Sequence, residues 1–289
     1  MYLLYFKKSL GKITLVITVG LIFLFMACNK SEEYRFDTSY NKATTLDALM
    51  AEHNFRSVFM LAYKLSLDTA LLRQGGGFLD SAWVSGSGKH WLMVFDSGRR
   101  VPDGSIRSGK IKLEWLAPLT DSGALAIIRF DKYRVNGKDI EGKIKISQLD
   151  YPSLKFSLEI DSGRITLHYP SKGLVSYQGS FFLRRYEGAS TFYDWWDDKY
   201  KIYGQASGRG AESDRFRFST SDSLHWSFIC RFLSGGMGLL EMPDFEINQT
   251  EIEYPLVNEC SGALKATFKV KPANGAIRKI STQNLSIIF

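Results

Sequence analysis

The residues best suited to chemistry lie in one run, Phe192-Tyr193-Asp194-Trp195-Trp196-Asp197-Asp198-Lys199-Tyr200. Aromatic faces stack on the C–H faces of a sugar ring, and neighbouring carboxylates accept hydrogen bonds from its hydroxyls. Tyr193, Trp195, Trp196, Asp197 and Asp198 therefore form a candidate glycan-binding platform. Three acids so close together also suit a hard cation such as calcium, but the spacing is not that of an EF-hand loop, and no metal is assigned. The competing reading is structural: large aromatics in β proteins commonly cover the core or a sheet edge, which would leave the acids in solvent.

No second constellation carries catalysis. His53, His90, His168 and His225 fall at no spacing that builds a metal site or a catalytic pair on one element. A Gly-x-Ser-x-Gly elbow is absent. The run from Gly104 to Lys110 has the spacing of a phosphate-binding loop, but Ile111 stands where the magnesium-holding Ser or Thr belongs, and an alternating strand follows instead of a helix. The expectation is a protein that is not an enzyme, with no catalytic residues and no cofactor.

Of the three cysteines, Cys28 ends a recognisable pattern. Lys7, Lys8 and Lys12 precede the uncharged run ITLVITVGLIFLFMA at residues 13–27. Fifteen residues without a charge match the core of a secretory signal, whereas a spanning helix needs about 20 apolar ones. The segment closes on Ala27-Cys28, which resembles a bacterial lipoprotein cleavage box with Cys28 as the acylated first residue of the mature chain. Asn29-Lys30-Ser31-Glu32-Glu33 then resembles the short acidic export tag of surface lipoproteins. In an oxidising envelope, Cys230 and Cys260 either pair or stay separate as buried thiols. Pairing would close a loop of about 30 residues, for a stabilisation of roughly 3–4 kcal/mol on the chain-entropy model.

This address changes the meaning of the charge. The 289 residues carry 37 Lys+Arg and 30 Asp+Glu, a net +7 that invites a nucleic-acid partner. Residues 1–27 contain three of those lysines and no acid, so the mature balance is 34 against 30, or +4. That is an ordinary solubility charge, and nucleic acid is excluded as a partner.

The elements that must position these residues are read from periodicity. Residues 28–43 are polar and read as a tether. From Thr44, apolar residues including Leu46, Leu49, Val58, Phe59, Ala62 and Leu65 recur at helical spacing, with Thr44 and Asp47 offering a capping box. The helical segment covers 44–76, as one helix or as two with a break near Asn54, and Gly75-Gly76-Gly77 ends it. Residues 78–289 read as β, with alternation in Ile111/Leu113/Trp115, Ile144/Ile146, Leu154/Phe156/Leu158/Ile160, Phe216/Phe218 and Leu264/Ala266/Phe268. Alternation with charged partners is the signature of antiparallel sheet wetted on one face. Asn136-Gly137 predicts a hairpin, and Asp121-Ser122-Gly123 and Asp161-Ser162-Gly163 read as further turns. The recurring Ser87-Gly88-Lys89, Ser108-Gly109-Lys110, Ser162-Gly163-Arg164 and Ser261-Gly262-Ala263 read as turn-to-strand entries. The expected fold is mainly β: an N-terminal helical segment followed by one large antiparallel meander, either an open sheet or a sandwich.

Several stretches, taken in order, resemble a family of outer-membrane lipoproteins of the Bacteroidetes. They are Phe95-Asp96-Ser97-Gly98, Asp103-Gly104, Arg107-Ser108-Gly109-Lys110-Ile111, and Phe130-Asp131-Lys132-Tyr133-Arg134-Val135-Asn136-Gly137-Lys138. Asp198-Lys199-Tyr200-Lys201-Ile202-Tyr203-Gly204, Cys230-Arg231-Phe232 and Glu259-Cys260-Ser261-Gly262 follow. The resemblance covers most of 28–289 and implies a β architecture at the outer membrane, with no catalytic residues to carry over. The expectation is a cell-envelope lipoprotein, on the periplasmic or surface face of the outer membrane, with a binding or scaffolding role. Its partners are the membrane, through the N-terminal lipid, and a glycan or another envelope protein. A glycan-binding accessory lipoprotein is the alternative, and a hydrolase, whose Ser, His and Asp would come from distant segments, is the less favoured third reading.

Overall fold

The computed structural model describes residues 37–151, 153–168, 172–191, 194–255 and 262–287. Cys28, Tyr193 and Cys260, with the whole signal segment, lie outside them.

Helix α1, Ser39–Leu67, has 29 residues and is about 43 Å long at 1.5 Å per residue. It starts inside the expected tether, and Thr44 is a buried interior residue of the helix where a cap was expected. It does not break at Asn54, whose Nδ2 donates to Met50 O at 2.9 Å within the helix. The break falls at Asp68, whose Oδ1 accepts Leu71 N–H at 2.9 Å and so caps α2, Thr69–Gln74. Gly75, at φ +72°, ends α2 in the left-handed conformation that glycine adopts without strain.

Among the described residues, fifteen strands follow in one antiparallel sheet. They are β1 (Gly76–Leu79), β2 (Ala82–Ser87), β3 (His90–Arg100), β4 (Ile106–Trp115), β5 (Leu125–Val135), β6 (Lys138–Asp150), β7 (Lys155–Leu167) and β8 (Gly173–Glu187). The rest are β9 (Lys199–Arg209), β10 (Arg215–Thr220), β11 (Leu224–Ser227), β12 (Leu233–Glu241), β13 (Gln249–Tyr254), β14 (Ala263–Val270) and β15 (Arg278–Ser286). Each strand pairs with its predecessor from β1 to β10. β12 then pairs with β10, and β11 lies off this path against β9 and β12. β1 and β15 are the two ends of the order, so the sheet is a single open one and not a sandwich.

The sheet wraps the helix. Phe55 stacks on Tyr177 of β8 at 5.7 Å and meets Phe130 of β5 at 6.2 Å. Phe59 meets Phe156 of β7 at 5.3 Å and Trp226 of β11 at 6.3 Å. Lys64 reaches Asp80 in the β1–β2 turn, and Gln283 of β15 donates to Thr38 just ahead of the helix. Ser39, Tyr40, Lys42 and Ala43 in its first turns stay exposed, but from Ala48 to Leu67 the helix has no wet face and every residue is buried. This explains why its polar residues carry their own partners: Arg56 donates to Glu52 at 2.6 Å, and Ser66 Oγ donates to Ala62 O at 2.9 Å.

Long strands wrap a helix only if they bend, and a line of β-bulges bends these. Register shifts fall at Phe95/Arg99, Ser108/Lys110, Arg129/Arg134, Glu141/Lys143 and Ile160/Gly163, one in each of β3 to β7. Each carries a residue at positive φ: Gly98, Gly109, Lys132, Gly142 and Ser162. A bulge with such a residue bends its strand and raises the local twist. Adjacent bulges touch, since a Cβ on Gly109 would lie 2.0 Å from Lys132 O. Ser108-Gly109 and Asp161-Ser162-Gly163 are therefore mid-strand creases, not the turns or strand entries their composition predicts. Ser87-Gly88-Lys89 does form the β2–β3 turn, and Asn136-Gly137, both at positive φ, does close the β5–β6 hairpin.

Candidate functional site

Within the aromatic run, Trp195–Asp197 form a short 3-10 turn between β8 and β9. Its members face different ways. Lys64 Nζ of α1 lies 3.7 Å from the centre of the Trp195 ring, so that face is occupied by the protein itself. Asp198 is buried, accepting Tyr63 OH at 3.0 Å and Arg185 Nη1 at 3.2 Å. Burial raises its carboxyl to about 6, and Arg185 and Tyr63 offset only part of that. Asp197 accepts Thr191 Oγ1 at 2.5 Å. Trp196, more than half exposed, is the ring still open to solvent among the described members of the run. Asp198 thus has no free oxygen for a sugar, and the four described members of the platform, Trp195, Trp196, Asp197 and Asp198, do not converge on one.

The histidines also disperse. His53 is buried on α1 and stacks on Phe232 at 5.7 Å. Burial, followed by Arg56, Arg231 and Arg107, pushes it well below its ordinary value, so it stays neutral. His90 is exposed on β3, His168 meets Asp139 at 2.8 Å on the outer face, and His225 sits beside Tyr186. Among the described residues no group of three His, Cys, Asp or Glu is placed to hold a metal. Cys230 is disulfide-bonded, with its partner outside the described residues.

A further buried polar cluster surrounds Arg107. Its guanidinium donates to Asp103 at 2.5 Å, Ser105 Oγ at 2.9 Å and Tyr133 OH at 2.7 Å. Burial pushes Asp103 up, but Arg107 and Ser105 outweigh it, and the carboxyl is held below its ordinary value. The network is satisfied internally and offers no group to a substrate.

What periodicity could not reveal is the surface assembled across β7, β8, β9 and β10. Outward side chains on neighbouring strands stand opposite one another in rows. One row is Arg164, Ser176, Arg209 and Arg215; the next is Gln178, Ser207 and Arg217. A third is Glu159, Ser180, Gln205 and Ser219, and Phe182 and Tyr203 pair in the row beyond. Successive rows lie about 6.8 Å apart along the strands, so the distance from Arg164 to Phe182 spans about 20 Å. Small side chains leave two adjoining depressions on this face, of about 490 and about 790 Å³, which share Gln178, Ser207 and Arg217. Hydroxyls and amides both donate and accept, so the floor is a lattice of two-way hydrogen-bonding groups. It has arginines at one end and two exposed rings, Phe182 and Tyr203, at the other.

The fold and this surface define a mainly β protein: a single antiparallel sheet wrapped on a buried helix, with a polar groove on its outer face. No protein-family model, no curated protein and no solved structure matches the chain. Among the described residues no helix is long and apolar enough to cross a membrane, which says nothing of spanning by strands.

Proposed function

We propose that the chain is a lipid-anchored cell-envelope protein, held to the periplasmic or surface face of the outer membrane through Cys28, and that its β body binds or scaffolds. The anchor half is supported by Lys7, Lys8 and Lys12 ahead of the uncharged run that ends at Ala27-Cys28. The binding half is carried by one observation: the hydroxyl and amide lattice over the larger, 790 Å³ depression, while the buried titratable groups Asp103, Arg107, Arg185 and Asp198 hold one another. Metabolic labelling with a palmitate analogue, with and without Cys28→Ala, tests the anchor. Label on the wild type alone, with the variant released from the membrane fraction, is expected. A wild type that stays membrane-bound without label contradicts it.

The alternative reading, a glycan-binding accessory lipoprotein, is favoured by the same surface. Rows of Ser and Gln flanked by the exposed Phe182 and Tyr203 rings offer both hydroxyl partners and stacking faces. The groove replaces the Trp195–Asp198 segment as the place where a sugar would sit. An array of envelope and plant glycans is the direct assay.

A further inference from the structure

We propose that the arginine end of the groove receives the anionic groups of an acidic polysaccharide, carboxylate or sulfate, with the hydroxyl-bearing chain lying along Gln178, Ser180, Gln205 and Ser207. This rests on the reading of the groove as a glycan surface and adds the charge class of the ligand.

The argument is one of unmatched charge. Elsewhere on the outer face, lysines meet carboxylates across the strands. Lys112 reaches Asp131 at 2.9 Å, Lys143 reaches Asp161 at 2.7 Å, Lys145 reaches Glu159 at 3.3 Å and Lys269 reaches Glu251 at 2.7 Å. The groove breaks this pattern. Arg164, Arg209, Arg215 and Arg217 all line the smaller, 490 Å³ depression, and among the described residues no carboxylate lines it with them. Arg215 is held by Asp244, and Arg209 Nη1 donates to Ser213 O at 2.8 Å. Arg164 and Arg217 make no ion pair among the described residues, although Glu141 and Glu241 stand opposite them in register. Glu241 instead accepts Gln249 Nε2 at 3.4 Å, and the acids bordering the larger depression, Glu159 and Asp161, are matched by lysines.

Two exposed guanidiniums, each presenting a planar fork of donors, are built for the paired oxygens of a carboxylate or sulfate. They flank Ser176 and Ser207, whose hydroxyls suit the sugar ring that carries the anion. Gly163 and Gly208 border this depression with backbone alone, on the core-facing side of the sheet, where a Cβ on Gly163 would lie 2.7 Å from Phe55 Cζ. A Cβ on Gly208 would lie 1.9 Å from Ser176 O and 2.8 Å from Phe216 Cζ, so the core side beneath the arginines admits no larger residue there.

The test is isothermal titration of the protein with three probes: oligogalacturonate, a heparin-derived oligosaccharide and a neutral xylo-oligosaccharide of equal length. The variants are Arg164→Gln/Arg217→Gln and, as a control on a matched outer-face pair, Lys265→Gln. Binding of an acidic probe that weakens at least tenfold in the double arginine variant, is unchanged in Lys265→Gln, and falls several-fold between about 50 and about 200 mM salt is expected. Which acidic probe binds separates carboxylate from sulfate. Neutral and acidic probes binding alike, with no loss in the arginine variant, would overturn the charge assignment and leave the groove as a glycan surface. Saccharide binding by none of the probes would overturn both. Circular dichroism and the thermal midpoint of the variant establish that any loss is not one of folding.

Discussion

Lys64 of the buried helix lays its ammonium 3.7 Å from the centre of the Trp195 ring while the same nitrogen reaches Asp80 Oδ2 at 2.5 Å. One side chain thus ties the last turns of α1 to the β1–β2 turn and to the β8–β9 connection. It fixes Trp195 as part of the closure of the body and leaves Trp196 outside. Trp195→Ala should therefore cost about 1–2 kcal/mol in urea unfolding, because a half-buried cation–π partner is lost, and Trp196→Ala should stay within about 0.5 kcal/mol. Equal costs for the two would mean that the closure is not made this way.

Asp198 makes stability depend on pH in an unusual direction. Its carboxyl titrates near 6 in the folded protein, above its ordinary 3.8, so the folded state takes up the proton first as pH falls. The group's contribution to stability must then rise as pH drops from about 7 towards about 4, the reverse of a salt-bridged carboxylate with a depressed value. Denaturant unfolding of wild type and Asp198→Asn at several pH values checks this. The stability difference between them should shift in favour of the wild type on acidification, and a difference that is flat or shifts the other way rejects the assignment.

Arg107 shows the opposite sign. It is fully buried with Asp103, Ser105 and Tyr133 around its guanidinium, so Arg107→Met strands a buried carboxylate and should cost about 3–5 kcal/mol. Asp103, held below 3.8, stabilises fully above that value and loses its contribution as pH falls through its lowered folded value. Urea titrations of the variant at neutral pH and of the wild type at pH about 3 measure the two effects.

The crease that lets the strands wrap the helix is equally open to test. Gly109 combines φ +85° with a Cβ position 2.0 Å from Lys132 O, and a Cβ on Gly163 would lie 2.7 Å from Phe55 Cζ. Gly109→Ala should destabilise by about 2–4 kcal/mol, from backbone strain plus overpacking, whereas Gly88→Ala in the β2–β3 turn meets no atom within 4 Å and carries only the strain of its φ of +53°. Comparable losses at the two sites would contradict the close approach at the crease.

Much of this architecture is legible in the residues. Alternation such as Leu154/Phe156/Leu158/Ile160 marks an inward face, and all four side chains are buried. Asn136-Gly137 specifies its turn because both residues tolerate positive φ. The glycine motifs mislead, because Ser-Gly serves equally in a turn and in a bulge. Ser108-Gly109 and Ser162-Gly163 differ from Ser87-Gly88 only in having strand on both sides, and local composition does not report that. The helix misleads for a related reason. Glu52, Arg56 and Lys64 look like a solvent face, yet each is buried with a partner, and Asp80 comes from beyond the helix. The groove was not legible at all. Arg164, Ser176, Arg209 and Arg215 meet only through the register of four strands spanning some fifty residues.

Cys230 and its disulfide set a covalent check on the same topology. Gly262, just before β14, approaches Phe232 so closely that a Cβ there would lie 3.0 Å from the ring, which sets the start of β14 beside the residues that follow Cys230. Non-reducing peptide mapping should therefore recover Cys230 linked to Cys260, and a Cys230–Cys28 peptide would contradict both this pairing and the lipid on Cys28.

The most direct measurement of the binding role is a glycan array probed with the wild type, Gln178→Ala/Gln205→Ala and Trp196→Ala. Binding that survives Trp196→Ala and is lost when the two amides on the floor of the groove are removed is the predicted result. No glycan bound by the wild type, or a loss confined to Trp196→Ala, would contradict it.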